Sequence, residues 1–331
     1  MFNLLLIMLN KILTYVCISY FDNTKNKMKK TVLITGGTGF IGRYLIKILT
    51  EKGYAINVLT RTHKKNTATV SYYTWDIASG SIEEKAVLDA DYIIHLAGES
   101  IAEKRWTVER KKAILDSRVQ STALLASVLQ SNKNNVKAFI SASGIGIYGA
   151  LNGEGICTET SPAAHDFLGK VCLEWEKAVD TIAPLGIRTV KVRTGLVLGE
   201  SAGFLQKMAP VFRYGFGSAL GSGNQYMPWI HIHDLCAIYL EAIENEAMQG
   251  AYNAAIEDST TNSLFSKTLA HIYGYSVWLP KVPAFVLQLA LGEMALLLLT
   301  GRRISNDKLL DLGIRFQFKN LDFALRDCLK K

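Results

Sequence analysis

The stretch TVLITGGTGFIGRYLIKIL, residues 31–49, constrains the fold more than any other part of the chain. Thr31 to Thr35 is β-branched and apolar and is bounded by glycine, which predicts a short buried strand. Arg43 to Lys52 has helical periodicity, with Ile41, Leu45, Ile48 and Leu49 on one face. Between them Gly36, Gly39 and Gly42 recur every third residue, and Gly37, Gly39 and Gly42 satisfy G-x-G-x-x-G. In such a turn one glycine permits the strand-to-helix reversal, one lets a pyrophosphate approach the backbone, and one lets the helix pack closely on the strand. The N–H groups at the helix start then face the phosphates. A strand before and a helix after distinguish a dinucleotide-binding turn from a merely glycine-rich one.

Strand and helix signals alternate beyond this turn. Strands are predicted over 55–60, 71–76, 91–96, 136–142 and 187–197, and helices over 106–131 and 166–183. This is the rhythm of a doubly wound parallel sheet, α/β in class. Ligands bind such sheets beyond the strand C-termini, at the point where strand order reverses. Thr35-Gly36, Thr60-Arg61, Leu96-Ala97-Gly98 and 141–143 are therefore the tips that matter. Residues 285–299 form an apolar run interrupted by Gln288, Gly292 and Glu293, which reads as a buried helix.

A chain of 331 residues, 49% hydrophobic and 20% charged, can bury a large core. The net charge of +8 is scattered, with no basic face interleaved with aromatics, which argues against nucleic acid as a partner. Cys17, Cys157, Cys172, Cys236 and Cys328 are odd in number and far apart, as expected of reduced thiols in a cytoplasmic protein without a zinc site. No histidine pair stands at metal spacing and no G-x-S-x-G elbow is present, so no metal is expected. Residues 1–27 are apolar but carry Asn3, Asn10, Lys11, Thr14 and Ser19, and lack a cleavable signal pattern. They read as an extension upstream of a natural start at Met28, with a membrane anchor as the alternative.

The second strand is followed by Arg61, with His63, Lys64 and Lys65 beyond, where an NAD-binding unit places Asp or Glu on the ribose hydroxyls. Arginine clamps a 2′-phosphate that a carboxylate would repel, so the expected cofactor is NADP. Asp76, at the end of the third strand, reads either as a contact to the adenine edge or as a cap.

ITGGTGFIGRYL, HLAGESI, SASGIGIYG, LGKVCLEWE, VRTGLVLG and PWIHIHDL stand in an order that resembles the extended short-chain dehydrogenase/reductases, the NAD(P)-dependent epimerase/dehydratase family. LAGESIAEKRWTVERKKAILDSR, GSALGSGNQYMPWIHIHDL and GEMALLLLTGRRISNDKLLDLGIRF are similar to an atypical branch labelled nucleoside-diphosphate-sugar epimerase or cell-division inhibitor. The resemblance covers residues 28 to about 325. It implies a Rossmann domain over 28–195, completed by about 230–255, with 196–229 and 256–331 forming a smaller C-terminal substrate region. It also implies NADP contacts from Gly36, Thr38, Gly39, Phe40, Ile41, Gly42, Arg61, Thr62, Leu96, Ala97 and Arg118.

Catalysis in this superfamily uses Ser or Thr with Tyr-x-x-x-Lys on one helix. In DFLGKVCLEWE, Lys170 occupies the lysine place, but Asp166 stands four residues earlier. An aspartate of ordinary pKa is already ionised at neutral pH and donates a proton poorly. Tyr148 is the nearest substitute, with Ser143 as the hydroxyl residue; the spacing leaves open whether Ser141 or Ser143 matches. Lys170 also stands in reach of Glu174 and Glu176 along the helix. Ser141, Arg193, Gln225 and Trp229 are candidates for the substrate side, and Trp229 and His231 share one strand face. The expected function is an NADP-dependent oxidoreductase or epimerase acting on a small or sugar-like substrate, with nucleotide-sugars included. The alternative is an NADP-binding protein without proton-transfer catalysis, acting as sensor or partner. The expected partner is a small molecule; no membrane is expected unless residues 1–27 anchor the chain, and a homodimer is compatible with the sequence.

Overall fold

The protein is described from a computed structural model covering residues 29–200 and 203–330. The extension over residues 1–27, its anchor reading and Cys17 lie outside the described residues. Twelve strands are present among them: β1 Thr31–Thr35, β2 Ala55–Thr60, β3 Val70–Asp76, β4 Ser81–Ile82, β5 Tyr92–His95, β6 Ala138–Gly144, β7 Asn152–Cys157, β8 Arg188–Thr194, β9 Leu196–Leu198, β10 Trp229–His231, β11 Gly250–Ala254 and β12 Gly301–Ile304. The helices are α1 Phe40–Glu51, α2 Lys85–Leu88, α3 Val108–Ser131, α4 Phe167–Asp180, α5 Gly203–Arg213, α6 Ile232–Glu244, α7 Asn262–Ile272, α8 Ala284–Leu291, α9 Leu296–Leu299, α10 Asp307–Asp311 and α11 Leu321–Leu329.

Eight strands form one sheet in the order β11-β8-β6-β5-β1-β2-β3-β4, parallel except for the β3–β4 edge pair. This is the doubly wound, Rossmann-like sheet, and its order reverses between β1 and β5. Thr35 lies opposite His95 there, so the ends of both strands open onto one crevice. Side chains alternate across β1. Val32 and Ile34 pack with Leu45 and Leu49 of α1 in one core layer, while Leu33 packs with Leu125 of α3 and Trp175 of α4 in the other. Burial on both faces explains why these strands read as apolar runs.

Two expectations change. The strand predicted over 187–197 divides at Gly195, where a Cβ would stand 2.6 Å from the Pro228 carbonyl. β8 stays in the sheet, and β9 leaves it to pair with β10. The run 285–299 is not a buried helix. It breaks at Gly292, whose φ of +62 suits glycine, and no residue of α8 is buried. Leu291, Met294 and Leu297 turn inward onto Trp106 and Phe167, Leu287 is half-buried, and the other residues of α8 are exposed. Among the described residues no helix is long and apolar enough to cross a membrane.

Candidate functional site

The glycine turn is tight. Gly36 adopts φ +70, and a Cβ there would stand 2.9 Å from the Leu96 carbonyl carbon. A Cβ on Gly42 would run into the Gly36 carbonyl and the Gly37 backbone, so α1 sits directly against the turn. Gly39 is the N-cap, and α1 starts at Phe40, three residues before the predicted Arg43. No side chain caps this end and its first turn holds no carboxylate. Its N–H groups and dipole are thus left for an outside anion.

The neighbouring tip is built around Thr35. Its Oγ1 accepts the N–H groups of Leu96 and Ala97, both at 3.1 Å. With both acceptor positions used, its own proton goes to His95 Nδ1 at 2.7 Å. His95 Nε2 then carries the ring proton and donates to Ser121 Oγ at 3.1 Å, and Ser121 donates to the Ser117 carbonyl at 2.6 Å. This fully buried chain ties β1, β5 and α3 together with a neutral imidazole, and burial pushes the His95 pKa down to about 3. Because the folded pKa lies below the unfolded value of about 6.5, the histidine's contribution to stability is fully present above that value. It is lost as pH falls toward 3. The expected result is that His95→Gln removes up to one proton's worth of slope, about 1.4 kcal/mol per pH unit, from stability between pH 6 and 4. Urea midpoints across that range for both proteins would check it, and identical slopes would sink it.

Arg118 closes the crevice from α3. Its Nη1 donates to the Glu99 and Ile114 carbonyls at 3.1 and 2.8 Å, and its guanidinium lies 5.0 Å from the Trp175 ring. A Cβ on Gly98 would stand 3.2 Å from its Cζ, so the guanidinium packs closely on the backbone beyond β5. Among the described residues no carboxylate forms an ion pair with Arg118. The Glu99 carboxylate instead pairs with Arg110 at 2.9 Å and with the exposed Arg61 at 3.5 Å. Burial draws the Arg118 pKa below the ordinary arginine value. An uncapped helix start and an enclosed, unpaired cation facing one crevice fit a dinucleotide's phosphates. Thr62 stays beside Arg61 at the β2 end, its carbonyl accepting from Thr60.

The catalytic candidates are placed differently from what their spacing implied. Asp166 caps α4: one carboxylate oxygen accepts Gly169 N–H at 2.8 Å and the other Ala150 N–H at 2.5 Å. Tyr148 is buried, donates to Asn253 Oδ1 at 2.7 Å and accepts from Arg193 Nη1 at 2.9 Å. Burial pushes its pKa up to about 12, against the lowering pull of Arg193. The hydroxyl expected to meet a reacting oxygen is here engaged by Asn253 and Arg193. Ser143 donates to Glu176 Oε1 at 2.7 Å, which leaves only its lone pairs for a ligand. Lys170 is exposed and has no ion pair among the described residues; Glu174 pairs with Lys177 instead.

The substrate-side candidates are largely internal. Arg193 clamps Glu176 through Nε and Nη2, both at 2.8 Å. Ser141 is buried and bonds to the Ala142 carbonyl at 2.8 Å. Gln225 donates to the carbonyls of Leu220 and Leu298, and Trp229 Nε1 donates to Asp258 at 2.9 Å. Through these bonds Gln225 and Trp229, the expected substrate contacts, hold neighbouring loops. His231 is buried and stacks on Phe318 with centroids 3.7 Å apart. Sequence reasoning did not single out Glu99, His95 or Asn253, and it named Glu176 only as a neighbour of Lys170, whereas Glu176 pairs with Arg193. Glu176 carried a usable signal, since it follows Trp175 on the buried face of α4. The four described cysteines are buried and free, and no group of three His, Cys, Asp or Glu among the described residues could hold a metal.

A family model described as the NAD dependent epimerase/dehydratase family matches residues 32–255, and a domain of unknown function, DUF1731, matches residues 282–328. The epimerase family protein YfhF of Bacillus subtilis is 36% identical over 298 residues, covering 89% of this chain and 96% of its own. The crystal structure of human epimerase family protein SDR39U1 (isoform 2) with NADPH matches with a TM-score of 0.79 and 32% identity, over 91% of this chain and 99% of that one. The nucleoside-diphosphate sugar epimerase from Corynebacterium glutamicum matches with a TM-score of 0.74 and 30% identity, over 91% of this chain and 58% of that one.

Proposed function

The chain belongs to the NAD dependent epimerase/dehydratase family, and on that premise we propose that it binds NADP in preference to NAD and works as an oxidoreductase or epimerase on a small or sugar-like substrate. The observation that carries the cofactor site is Arg118, a half-buried cation with no ion-pair partner among the described residues, beside an uncapped helix start at the sheet's switch point, while the preference for NADP rests on Arg61. The similar human protein was solved with NADPH, which agrees with Arg61 at the end of β2. When bound, the nicotinamide gives or takes a hydride.

The chain's own residues have separate tasks in this reading. Gly36, Thr38, Gly39, Phe40, Ile41 and Gly42 present backbone to the pyrophosphate, and Leu96 and Ala97 shape the tip held by Thr35. Arg61 and Thr62 receive the 2′-phosphate end. Lys170, exposed and without an ion pair among the described residues, would hold the nicotinamide ribose. Ser143, its proton committed to Glu176, accepts a hydrogen bond from a ligand hydroxyl, amide or water.

Calorimetry tests the reading: NADPH should bind more tightly than NADH. Arg61→Ala should weaken NADPH alone, by about 1 kcal/mol, because an exposed clamp is weaker than a buried one. Equal affinity for the two cofactors would refute the preference. A second reading, cofactor binding without proton-transfer catalysis, is favoured by one observation: both Asp166 oxygens and the Tyr148 hydroxyl are already engaged. A broad screen of carbonyl compounds that leaves NADPH unoxidised while it still binds would select that reading.

A further inference from the structure

Helix α8, AFVLQLAL, has one polar residue, Gln288, and none of its eight residues is buried. A helix apolar all round is normally enclosed. Here Phe285 is 68% exposed and Leu289 79%. Tyr214, Phe216 and Trp278, in the segments leading to it, are also largely exposed. The segments are joined: Trp278 donates inward to the Gly215 carbonyl at 2.9 Å, and Val282, just before α8, bonds to the Ala219 carbonyl at 2.9 Å. Large apolar patches exposed on a monomer commonly mark a binding role.

The charge on this face has one sign. Neither residues 203–223 nor residues 262–292 contain an Asp or Glu, although the whole chain has 29 of them in 331 residues. The same segments carry the exposed cations Lys207, Arg213, Lys267 and Lys281. Glu293, which ends the second stretch, is paired with Lys111, and Arg105 reaches in to donate to the Leu289 carbonyl at 2.9 Å.

We propose that this face docks on an anionic lipid surface. Protruding phenylalanine and leucine enter the acyl boundary, tryptophan and tyrosine suit the interface, and the lysines and arginines meet the headgroups. A second copy of the chain fits worse. A two-fold contact through this face would set cations against cations with no carboxylate in either segment to answer them. None of these side chains belongs to the candidate cofactor site, and residues 1–27 take no part in the argument.

The test is co-sedimentation of the full chain with vesicles of phosphatidylcholine, with and without about one-third phosphatidylglycerol. Binding should require the anionic lipid and weaken as salt rises. The double variant F285S/L289S should bind at least about tenfold more weakly, and K281E about fivefold or more, with thermal midpoints like that of the original chain. The proposal is overturned by absent binding to anionic vesicles, or by equal binding to neutral ones. Full binding by both variants would overturn it too, assigning the affinity to another part of the chain. So would light scattering that shows a dimer dissolved by F285S/L289S in the absence of lipid, which would make the face a contact between copies.

Discussion

Arg118→Gln is expected to weaken NADPH binding by about 1.5–3 kcal/mol, the range for hydrogen bonds to a charged group, or about tenfold to more than a hundredfold. The free protein should change by less than about 1 kcal/mol. Two bonds to carbonyls and the cation–π contact with Trp175 are lost, but so is a desolvated cation with no carboxylate in ion-pair contact. The thermal shift on adding NADPH should therefore collapse while the ligand-free midpoint stays nearly constant. NADH should suffer equally, since Arg118 stands on α3 and not at the β2 end where the two cofactors differ. That pattern separates it from Arg61→Ala, which should affect NADPH alone. An Arg118→Gln protein that keeps full affinity for NADPH would remove the main support for the proposed cofactor site.

Arg193→Met is expected to destabilise the fold by about 3–5 kcal/mol, the scale for breaking one partner out of a buried pair. Arg193 is 7% exposed, holds both Glu176 oxygens, and donates to Tyr148 and the Glu159 carbonyl. Burial acts to lower its pKa, but the bonds and charge of Glu176 outweigh that and raise it. Without the guanidinium, Glu176 keeps Ser143 and a Lys191 ammonium at 3.9 Å, too little to solvate a buried carboxylate. The double variant Arg193→Met/Glu176→Leu should regain most of the loss, because it removes the stranded charge. Denaturant unfolding of the single and double variants measures this directly. A single variant within about 1 kcal/mol of the parent would show the pair to be dispensable.

The cofactor half of the candidate site was legible because it is local. A turn between adjacent elements needs glycines at fixed offsets, and Gly36 and Gly42 stand where a Cβ would strike the Leu96 and Gly36 backbones. The parallel sheet was legible for a related reason: strands buried on both faces read as mostly apolar runs, as Val32–Ile34 of β1 and Tyr92–Ile94 of β5 do. Helix α8 was misread because composition alone does not distinguish an apolar helix under a sheet from one turned outward past Gly292. The strand over 187–197 was drawn too long because only the approach of Pro228 shows why the chain leaves the sheet at Gly195.

The sequence by itself determined the strand–turn–helix at residues 31–51, the doubly wound order of elements and the basic residue at the β2 end, since each depends on neighbours within a few positions. Only the tertiary structure decided what the polar side chains do. Asp166 stands in the catalytic tyrosine's place; one oxygen caps α4 at the Gly169 N–H, and the N–H of Ala150, sixteen residues earlier, takes the other. Tyr148 has the right chemistry for an acid, but Asn253 and Arg193, 105 and 45 residues away, close its hydroxyl inside the core. A hydroxyl or carboxylate is reactive or structural according to which donors and acceptors reach it. Those partners arrive from distant strands, so no local pattern of residues records them.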